Sequence, residues 1–451
     1  MQKNILSVII SLICCTTIAA QTITTETYDT TRIDLDSLGV VTDKKVLNYD
    51  KPLSAFHLDY ISDSDSIQFD VPESMMLDID SLMNSWQSRT LLESYECEGP
   101  YEALPVNDSI YADRLSRLPS IVKMTYNDVT KQFIERYANR HRKLVANMLG
   151  LSSFYMPMIE NTLDSYNMPL ELKYLPIIES ALNPKAVSRV GAKGLWQFMF
   201  HTGKSYGLKA NNYIDERFDP MKSTQAAIRY LRDLYKFFQS WDLAIAAYNC
   251  GPGNVKKAII RSGGKTDFWK IYKYLPRETR GYIPAFIAAN YIMNYYEEHG
   301  ICPMKSSLPI ATDTIHVSRN LHFTQVSEMC DIEMDEIRAM NPQYIKDIVP
   351  GKSGICVLRL PNEKITAMLN LGDSIYRYKE EEFFSQEKVA ELDKGAKLNN
   401  GGRNATKRHK VRNGETLSII ARKYGVSVKQ IMRANGMKNT NIRAGRYINI
   451  Y

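Results

Sequence analysis

Four stretches between Pro176 and Tyr282 hold residue types that could act on a substrate. The first, Leu175-Pro176-Ile177-Ile178-Glu179-Ser180-Ala181-Leu182-Asn183-Pro184, sets one carboxylate at the end of an apolar run. Burial beside an apolar face disfavours the charged form and raises a glutamate's pKa. That is the direction needed by an acid that must keep its proton near neutral pH, as in breaking a glycosidic bond. An ordinary helix-end glutamate is solvated instead, so the other three stretches decide the reading. In Ser188-Arg189-Val190-Gly191-Ala192-Lys193-Gly194-Leu195-Trp196-Gln197-Phe198-Met199, two glycines three apart let backbone approach a ligand closely. Gln197 can donate to and accept from hydroxyl or acetamido groups, and Met199 offers apolar surface to a pyranose face. Ala246-Ala247-Tyr248-Asn249-Cys250-Gly251-Pro252-Gly253 stops an apolar helix abruptly and presents Tyr248 and Asn249 there. Pro276-Arg277-Glu278-Thr279-Arg280-Gly281-Tyr282 sets a second carboxylate and another tyrosine before a final helix expected from 283 to 296.

The elements that must position these groups are helical. From about residue 110 to 300, long amphipathic stretches alternate with short Gly, Pro and Asn punctuation. Leu172, Leu175, Ile178 and Leu182 fall on one helical face, which predicts a helix over 171–182 packed on a core. Asp219 and Pro220 open another, bearing Ile228, Leu231, Leu234 and Phe238 as its stripe.

Beyond Pro303 two similar units appear. In the last, Leu417, Ile420, Ala421 and Tyr424 predict a short helix, and Ser427 with Gln430 a capping box for a second. Alternation in Tyr447-Ile448-Asn449-Ile450 predicts a closing strand, with Val411 in its partner strand. Met334, Ile337, Asn341 and Gly351 lie 94 positions before Val428, Ile431, Asn435 and Gly445, so residues 313–361 read as a diverged copy. That copy lacks the Asn413-Gly414-Glu415-Thr416 element, and a spacer role competes with ligand binding for it. Residues 362–407 read as a linker, flexible from 372 on.

Of 451 residues, 44% are apolar and 24% charged, which fits a soluble globular chain of several domains. Lys3, the apolar run Ile5–Cys14 and the small pair Ala19-Ala20 read as an export signal over residues 1–20. Cys14 and Cys15 leave a lipid-anchored alternative, ranked second because Ile13 and Cys14 are poor residues to precede a lipidated cysteine. No later stretch nears the roughly 18 to 20 apolar residues of a spanning helix. The net charge of +7 hides an asymmetry: residues 21–109 hold 18 acidic and 5 basic residues, and residues 401–451 hold 1 acidic and 12 basic. The first reads as an acidic, partly ordered segment over 21–108. The second suits an acidic wall polymer or a lipid surface, outer-membrane association included, unless it is only a solvated face; export leaves nucleic acid no place as partner. No C-x-x-C spacing occurs, so no metal and no cofactor is expected. Cys330 and Cys356 are the first disulfide pair to test, against the alternative of isolated buried thiols.

Taken together, the four stretches resemble the soluble-lytic-transglycosylase, or goose-lysozyme-like, superfamily over about residues 112–299. The terminal unit, 408–451, resembles LysM domains, which bind N-acetylglucosamine-containing glycans. The fold class this implies is mainly α: a lysozyme-like helical catalytic domain over 109–303, followed by small α+β (βααβ) LysM modules. Peptidoglycan glycan strands are the implied substrate. The resemblance makes Glu179 the general acid and puts Ser188, Gln197, Met199, Tyr248 and Asn249 in the substrate groove, with Glu278 and Tyr282 in a Glu-Thr-Arg-x-Tyr element. Two departures, Cys250 after Tyr-Asn and Phe200-His201 after Gln-Phe-Met, could alter groove shape. In this superfamily one carboxylate protonates the linking oxygen and then takes the proton of the muramoyl C6 hydroxyl, leaving a 1,6-anhydro end. Glu278 reads as an orienting group bonded to backbone or to Tyr248. A hydrolytic muramidase and a non-catalytic wall-binding scaffold are the alternatives.

Overall fold

Apolar periodicity from residue 108 onward closes into ten α-helices around one core. The structure, a computed structural model, describes residues 70, 72, 92–93, 106–396, 407–424, 426–437 and 439–450. The expected export signal and nearly all of the acidic segment lie outside the described residues. Helices α1 (Asp108–Arg117) and α2 (Asp128–Glu135) start at Asn107 and Asn127, whose side chains accept from backbone N–H groups of the first turn. A π-turn (Arg136–Arg140) leads into the long α3 (Arg142–Ser165). Then come α4 (Leu175–Ser180), α5 (Phe200–Ser205), α6 (Pro220–Phe238), α7 (Trp241–Cys250), α8 (Pro252–Arg261), α9 (Phe268–Ile271) and α10 (Arg277–Asn294). Helix α10 is buried at fourteen of its eighteen positions, so it is packed on nearly every side and serves as the axis of the domain. Asp219 caps α6 through Lys222 N–H, as its sequence predicts. A two-stranded pair, β1 (Leu92–Glu93) and β2 (Lys305–Ser306), joins the two ends of the domain.

Two expected helices differ in extent. The span 171–182 is not one helix: a 3₁₀ turn (Leu170–Tyr174) gives way to α4 at Leu175, and Pro176, which lacks an N–H and suits only a helix start, stands in its first turn. Helix α10 begins at Arg277 rather than 283, which places Glu278 in its first turn, where the helix dipole favours an acid.

The next unit consists of β3 (Thr312–Val317), β4 (Asn320–His322), α11 (Phe323–Cys330), α12 (Met334–Met340), β5 (Ile348–Pro350) and β6 (Cys356–Pro361); β3 pairs antiparallel with β6 and β4 with β5. Helices α13 (Asn362–Leu371), α14 (Ser374–Arg377), α15 (Glu380–Phe384) and α16 (Gln386–Ala396) occupy most of the expected linker. This corrects the linker reading for 362–396: Met368 and Ile375 are buried in the unit's own core, and Gln325 Nε2 donates to the Tyr378 carbonyl at 2.6 Å. Cys330 and Cys356 are free, which corrects the disulfide reading; Cys330 packs on Met368 Sδ at 3.9 Å, whereas Cys356 turns to the Gly354 carbonyl. Cys302 is disulfide-bonded.

The terminal unit is β7 (Lys407–Lys410), α17 (Leu417–Tyr424), α18 (Val428–Ala434) and β8 (Tyr447–Ile450), with β7 antiparallel to β8. Its core is built on Val411, Leu417, Ile420, Ile431 and Ile448, and Ser427 with Gln430 forms the expected capping box. Val411 continues the pairing one residue past β7, donating to Arg446 O at 2.9 Å. Among the described residues no helix is long and apolar enough to cross a membrane.

Candidate active site

Helix α4 is only six residues long and ends in two left-handed residues, Ala181 (φ 51°) and Leu182 (φ 61°). That abrupt end delivers Glu179 to the floor of a cleft of about 340 Å³. Ser180 fixes the delivery: its hydroxyl contacts the Pro176 carbonyl at 3.1 Å and the Leu195 carbonyl at 2.9 Å, tying the helix to the loop 186–199.

That loop is held from beneath by three devices. Trp196 is fully buried and donates from Nε1 to Thr224 Oγ1 at 2.8 Å. Arg217, paired with Asp215 at 2.7 Å, reaches the Gly191 and Phe198 carbonyls, and Lys193 meets the same Asp215 at 3.2 Å. Burial pushes the Asp215 carboxyl up, but Arg217 and Lys193 outweigh it and hold it below the usual range. Gly194 (φ +83°) packs so closely that a Cβ there would lie 1.8 Å from Arg217 O. Its close approach is therefore to the protein's own backbone rather than to a ligand, which corrects the expectation for that glycine.

All eight residues singled out from the sequence line this one cleft: Glu179, Ser188, Gln197, Met199, Tyr248, Asn249, Glu278 and Tyr282. Tyr282 donates its hydroxyl to Glu179 Oε1. Tyr248, at the end of α7, donates to the Trp196 carbonyl at 2.8 Å, and its ring lies 5.3 Å from that of Tyr230. Asn249 accepts from Thr279 Oγ1 at 2.8 Å, which joins the end of α7 to the first turn of α10. Ser188 Oγ accepts from Ala192 N–H at 3.0 Å within a tight turn. Met199 is 45% exposed on the rim.

Two expected roles change. Gln197 (φ 46°) spends its amide nitrogen on the Gly194 carbonyl at 2.7 Å and the Ala186 carbonyl at 3.3 Å, so its side-chain oxygen is what it offers a bound group. Glu278 is exposed, and among the described residues no hydrogen bond joins it to backbone or to Tyr248, whose hydroxyl goes to Trp196.

Electrostatically the site is organised around Glu179. Burial pushes its carboxyl up to about 8; the Tyr282 hydroxyl pulls the other way, and the negative charge of Glu278 adds to the rise. Burial, and then the adjacent Glu179, pushes the Tyr248 and Tyr282 phenols well above their ordinary range, so both act as neutral hydrogen-bonding groups. A neutral carboxylic acid at pH 7 on the floor of a cleft can hand a proton to a bound oxygen. Among the described residues no group of acids, histidines and cysteines is arranged to hold a metal ion.

Sequence reasoning passed over several residues of this site. Pro72 lines the cleft, brought there by the chain at Asp70, whose N–H donates to Arg277 O at 3.1 Å. Ser180 and Thr279 stand in the quoted stretches but were given no role there, and the Asp215–Arg217 pair stands in none of them; all act through other residues. Cys250, noted as a departure, also lines the cleft.

Comparison with known proteins matches residues 156–271 to the transglycosylase SLT domain, 311–377 to the LysM-like domain of lytic transglycosylase MltD, and 409–450 to the LysM domain. Membrane-bound lytic murein transglycosylase D of Escherichia coli (strain K12) is 30% identical over 328 residues, covering 72% of this chain and 69% of that protein. Soluble lytic murein transglycosylase of the same strain is 34% identical over 124 residues, covering 26% of this chain and 19% of that one. The solved structure of the 70 kDa soluble lytic transglycosylase from Escherichia coli aligns at 25% identity with a TM-score of 0.29, over 38% of this chain and 31% of that one.

Proposed function

The chain belongs to the family of membrane-bound lytic murein transglycosylase D, and from that premise we propose that it cuts the glycan strands of peptidoglycan with Glu179 as its one catalytic carboxylate. The observation that carries this reading is the Glu179 carboxyl itself, pushed up to about 8 by burial and held by Tyr282 at the bottom of a cleft. Glu179 donates its proton to the oxygen linking N-acetylmuramic acid to N-acetylglucosamine, and the bond from that oxygen to muramoyl C1 breaks. The muramoyl C6 hydroxyl then attacks C1 and returns its proton to Glu179. The product is a 1,6-anhydro end, and no water is consumed. A tethered nucleophile replaces a bimolecular encounter, which removes much of the entropic part of the barrier.

The other cleft residues take supporting parts. Tyr282 orients the acid, and Tyr248 and the Ser180 hydroxyl fix the loop against it. Gln197 Oε1, Ser188 and Asn249 offer polar contacts to acetamido and hydroxyl groups, and Met199 offers apolar surface to a sugar ring. Glu278 acts through its charge by keeping the proton on Glu179. The LysM module binds N-acetylglucosamine-containing strands. Such a substrate places the enzyme in the cell envelope outside the cytoplasmic membrane, by way of the export signal at 1–20.

Digestion of purified sacculi followed by mass spectrometry of the fragments tests the chemistry. Anhydro-muramoyl ends are expected; reducing ends would replace the transglycosylase reading with a muramidase on the same scaffold. Glu179→Gln keeps the side-chain shape and removes the proton, so turnover should drop by roughly 10²–10⁴ or more with sacculus binding retained. Undiminished turnover would remove Glu179 from the mechanism.

A further inference from the structure

The terminal module has a cleft of its own, about 560 Å³, whose walls are basic. Strand β7 alternates across it: Arg408 and Lys410 are exposed and His409 between them is buried. The His409 ring hydrogen-bonds Tyr424 Oη at 3.0 Å on one side and Glu415 Oε2 at 2.7 Å on the other. Glu415 Oε2 also accepts from Arg412 N–H at 2.7 Å. Glu415 is the one acidic side chain between residues 401 and 451, and it is already engaged inside the fold.

The cations are left facing water. Arg408, Lys410, Arg412 and Lys423 all line the cleft, and among the described residues none of their side chains is in an ion pair with a carboxylate; Lys423 feels the Glu415 charge only at a distance. Tyr447, 52% exposed and paired in register with Lys410, carries the Arg408 guanidinium 5.0 Å and the Lys410 ammonium 5.8 Å from its ring centre. A basic face that served only solubility would not need an exposed aromatic ring between its charges. Four like charges on one small cleft repel one another, and an anionic ligand relieves that repulsion.

We propose that this cleft binds carboxylate groups projecting from a glycan strand, as an ionic contact separate from recognition of neutral N-acetylglucosamine. The shape favours a chain over a membrane: the charges line a concavity, whereas a lipid surface is flat. Among the described residues of this module only Ile419 and Tyr447 stand out as exposed large apolar residues, too little to enter a bilayer. A flat ring flanked by two cations suits a pyranose bearing a carboxylate. The ligand class rests on the peptidoglycan reading above, since the stem peptides of peptidoglycan, amide-linked to the muramoyl lactyl groups of its glycan, supply such carboxylates.

The test uses the full chain as Glu179→Gln, which prevents turnover, pelleted with native sacculi, with sacculi whose carboxyls are converted to neutral amides, and with phosphatidylglycerol–phosphatidylcholine vesicles. Native sacculi should be bound roughly tenfold more tightly than amidated ones at low ionic strength, and the gap should close in high salt as the Debye length falls from about 10 Å at 0.1 M to about 3 Å at 1 M. The triple variant Arg408→Gln, Lys410→Gln, Lys423→Gln should lower native binding to the amidated level with no further loss on amidated sacculi. All three side chains are exposed, so an unchanged thermal transition checks that the module still folds. Equal binding of native and amidated sacculi, or a triple variant that binds native sacculi like its parent, overturns the proposal. So does a triple variant that loses vesicles but keeps sacculi, which would make lipid phosphate the ligand. The peptidoglycan reading is judged separately, by cleavage of sacculi by the unsubstituted enzyme.

Discussion

Asn341 and Asn435 do the same work in two units of opposite character. Each side-chain nitrogen donates to the carbonyl four residues back, Ile337 or Ile431, and to a strand carbonyl, Arg359 or Asn449; each side-chain oxygen accepts that strand residue's N–H. The second helix is thereby clamped onto the last strand. Around this shared clamp the surfaces diverge. Residues 312–361 are stitched to the catalytic domain: Asp215 N–H donates to Gln343 O at 3.0 Å, Ile345 N–H to Tyr213 O at 2.9 Å, and Ala339 packs with Leu308 and Phe154. The terminal unit keeps exposed cations instead. A fold locked by internal hydrogen bonds leaves its outer faces free to change, so one copy became a brace and the other a grip.

The brace reaches the chemistry through one turn. Asp215, whose backbone meets Gln343, is the residue whose carboxylate pairs with Arg217 and Lys193, and these hold the loop 186–199 over Glu179. Asp215→Ala tests this with the largest expected effect. It leaves a buried guanidinium without its partner, a cost of about 3–5 kcal/mol, and turnover of soluble oligosaccharides should fall even below the unfolding temperature. A variant that loses stability with kcat and KM unchanged would confine the pair to a structural role.

Paired substitutions of the clamp give the next largest effect. Asn341→Ala and Asn435→Ala each strand buried strand and helix groups, at about 1–3 kcal/mol. Asn341→Ala should slow cleavage of soluble oligosaccharides, because the brace is part of the catalytic unit. Asn435→Ala should spare that cleavage and weaken only binding to sacculi. Equal effects of the two on soluble substrate would erase the distinction between brace and grip.

How much of this could be read from residues alone follows from how local each feature is. The capping of α6 by Asp219, the Ser427–Gln430 box and the stop of α7 at Gly251 involve neighbours in sequence, and all were legible. The cleft residues lie on turns and helix ends, where residue type announces itself. The helices over 362–396 were missed although Ile365, Met368, Leu371 and Ile375 carry a helical period, because the charged run that follows them, from Arg377 to Lys388, resembled a linker. The Asp215–Arg217 brace and Pro72 were not legible: their parts are joined only by tertiary contacts, and no periodicity marks them.

The smallest expected effect is the absence of one, and it separates the grip from the chemistry. Because the Glu179 carboxyl is pushed up to about 8, cleavage of soluble oligosaccharides should fall as pH rises through about 8, where the acid loses its proton. The same shift acts on stability. The folded state holds this proton more tightly than the unfolded chain, whose carboxyl titrates near 4.5, so stability is lost as pH rises from the ordinary carboxylate range towards about 8. Glu179→Gln has no such charge to bury, and its thermal transition should lie above that of the unsubstituted enzyme at pH 9 and converge with it near pH 4. Tyr282→Phe removes the hydrogen bond that pulls this pKa down and should carry the alkaline limb to higher pH. Deleting residues 404–451 removes a unit that supplies no group to the acid's surroundings, so both the limb and the stability difference should stay where they are. If the limb moved on that deletion, the terminal module would be coupled to the acid, and brace and grip would have to be treated as one device.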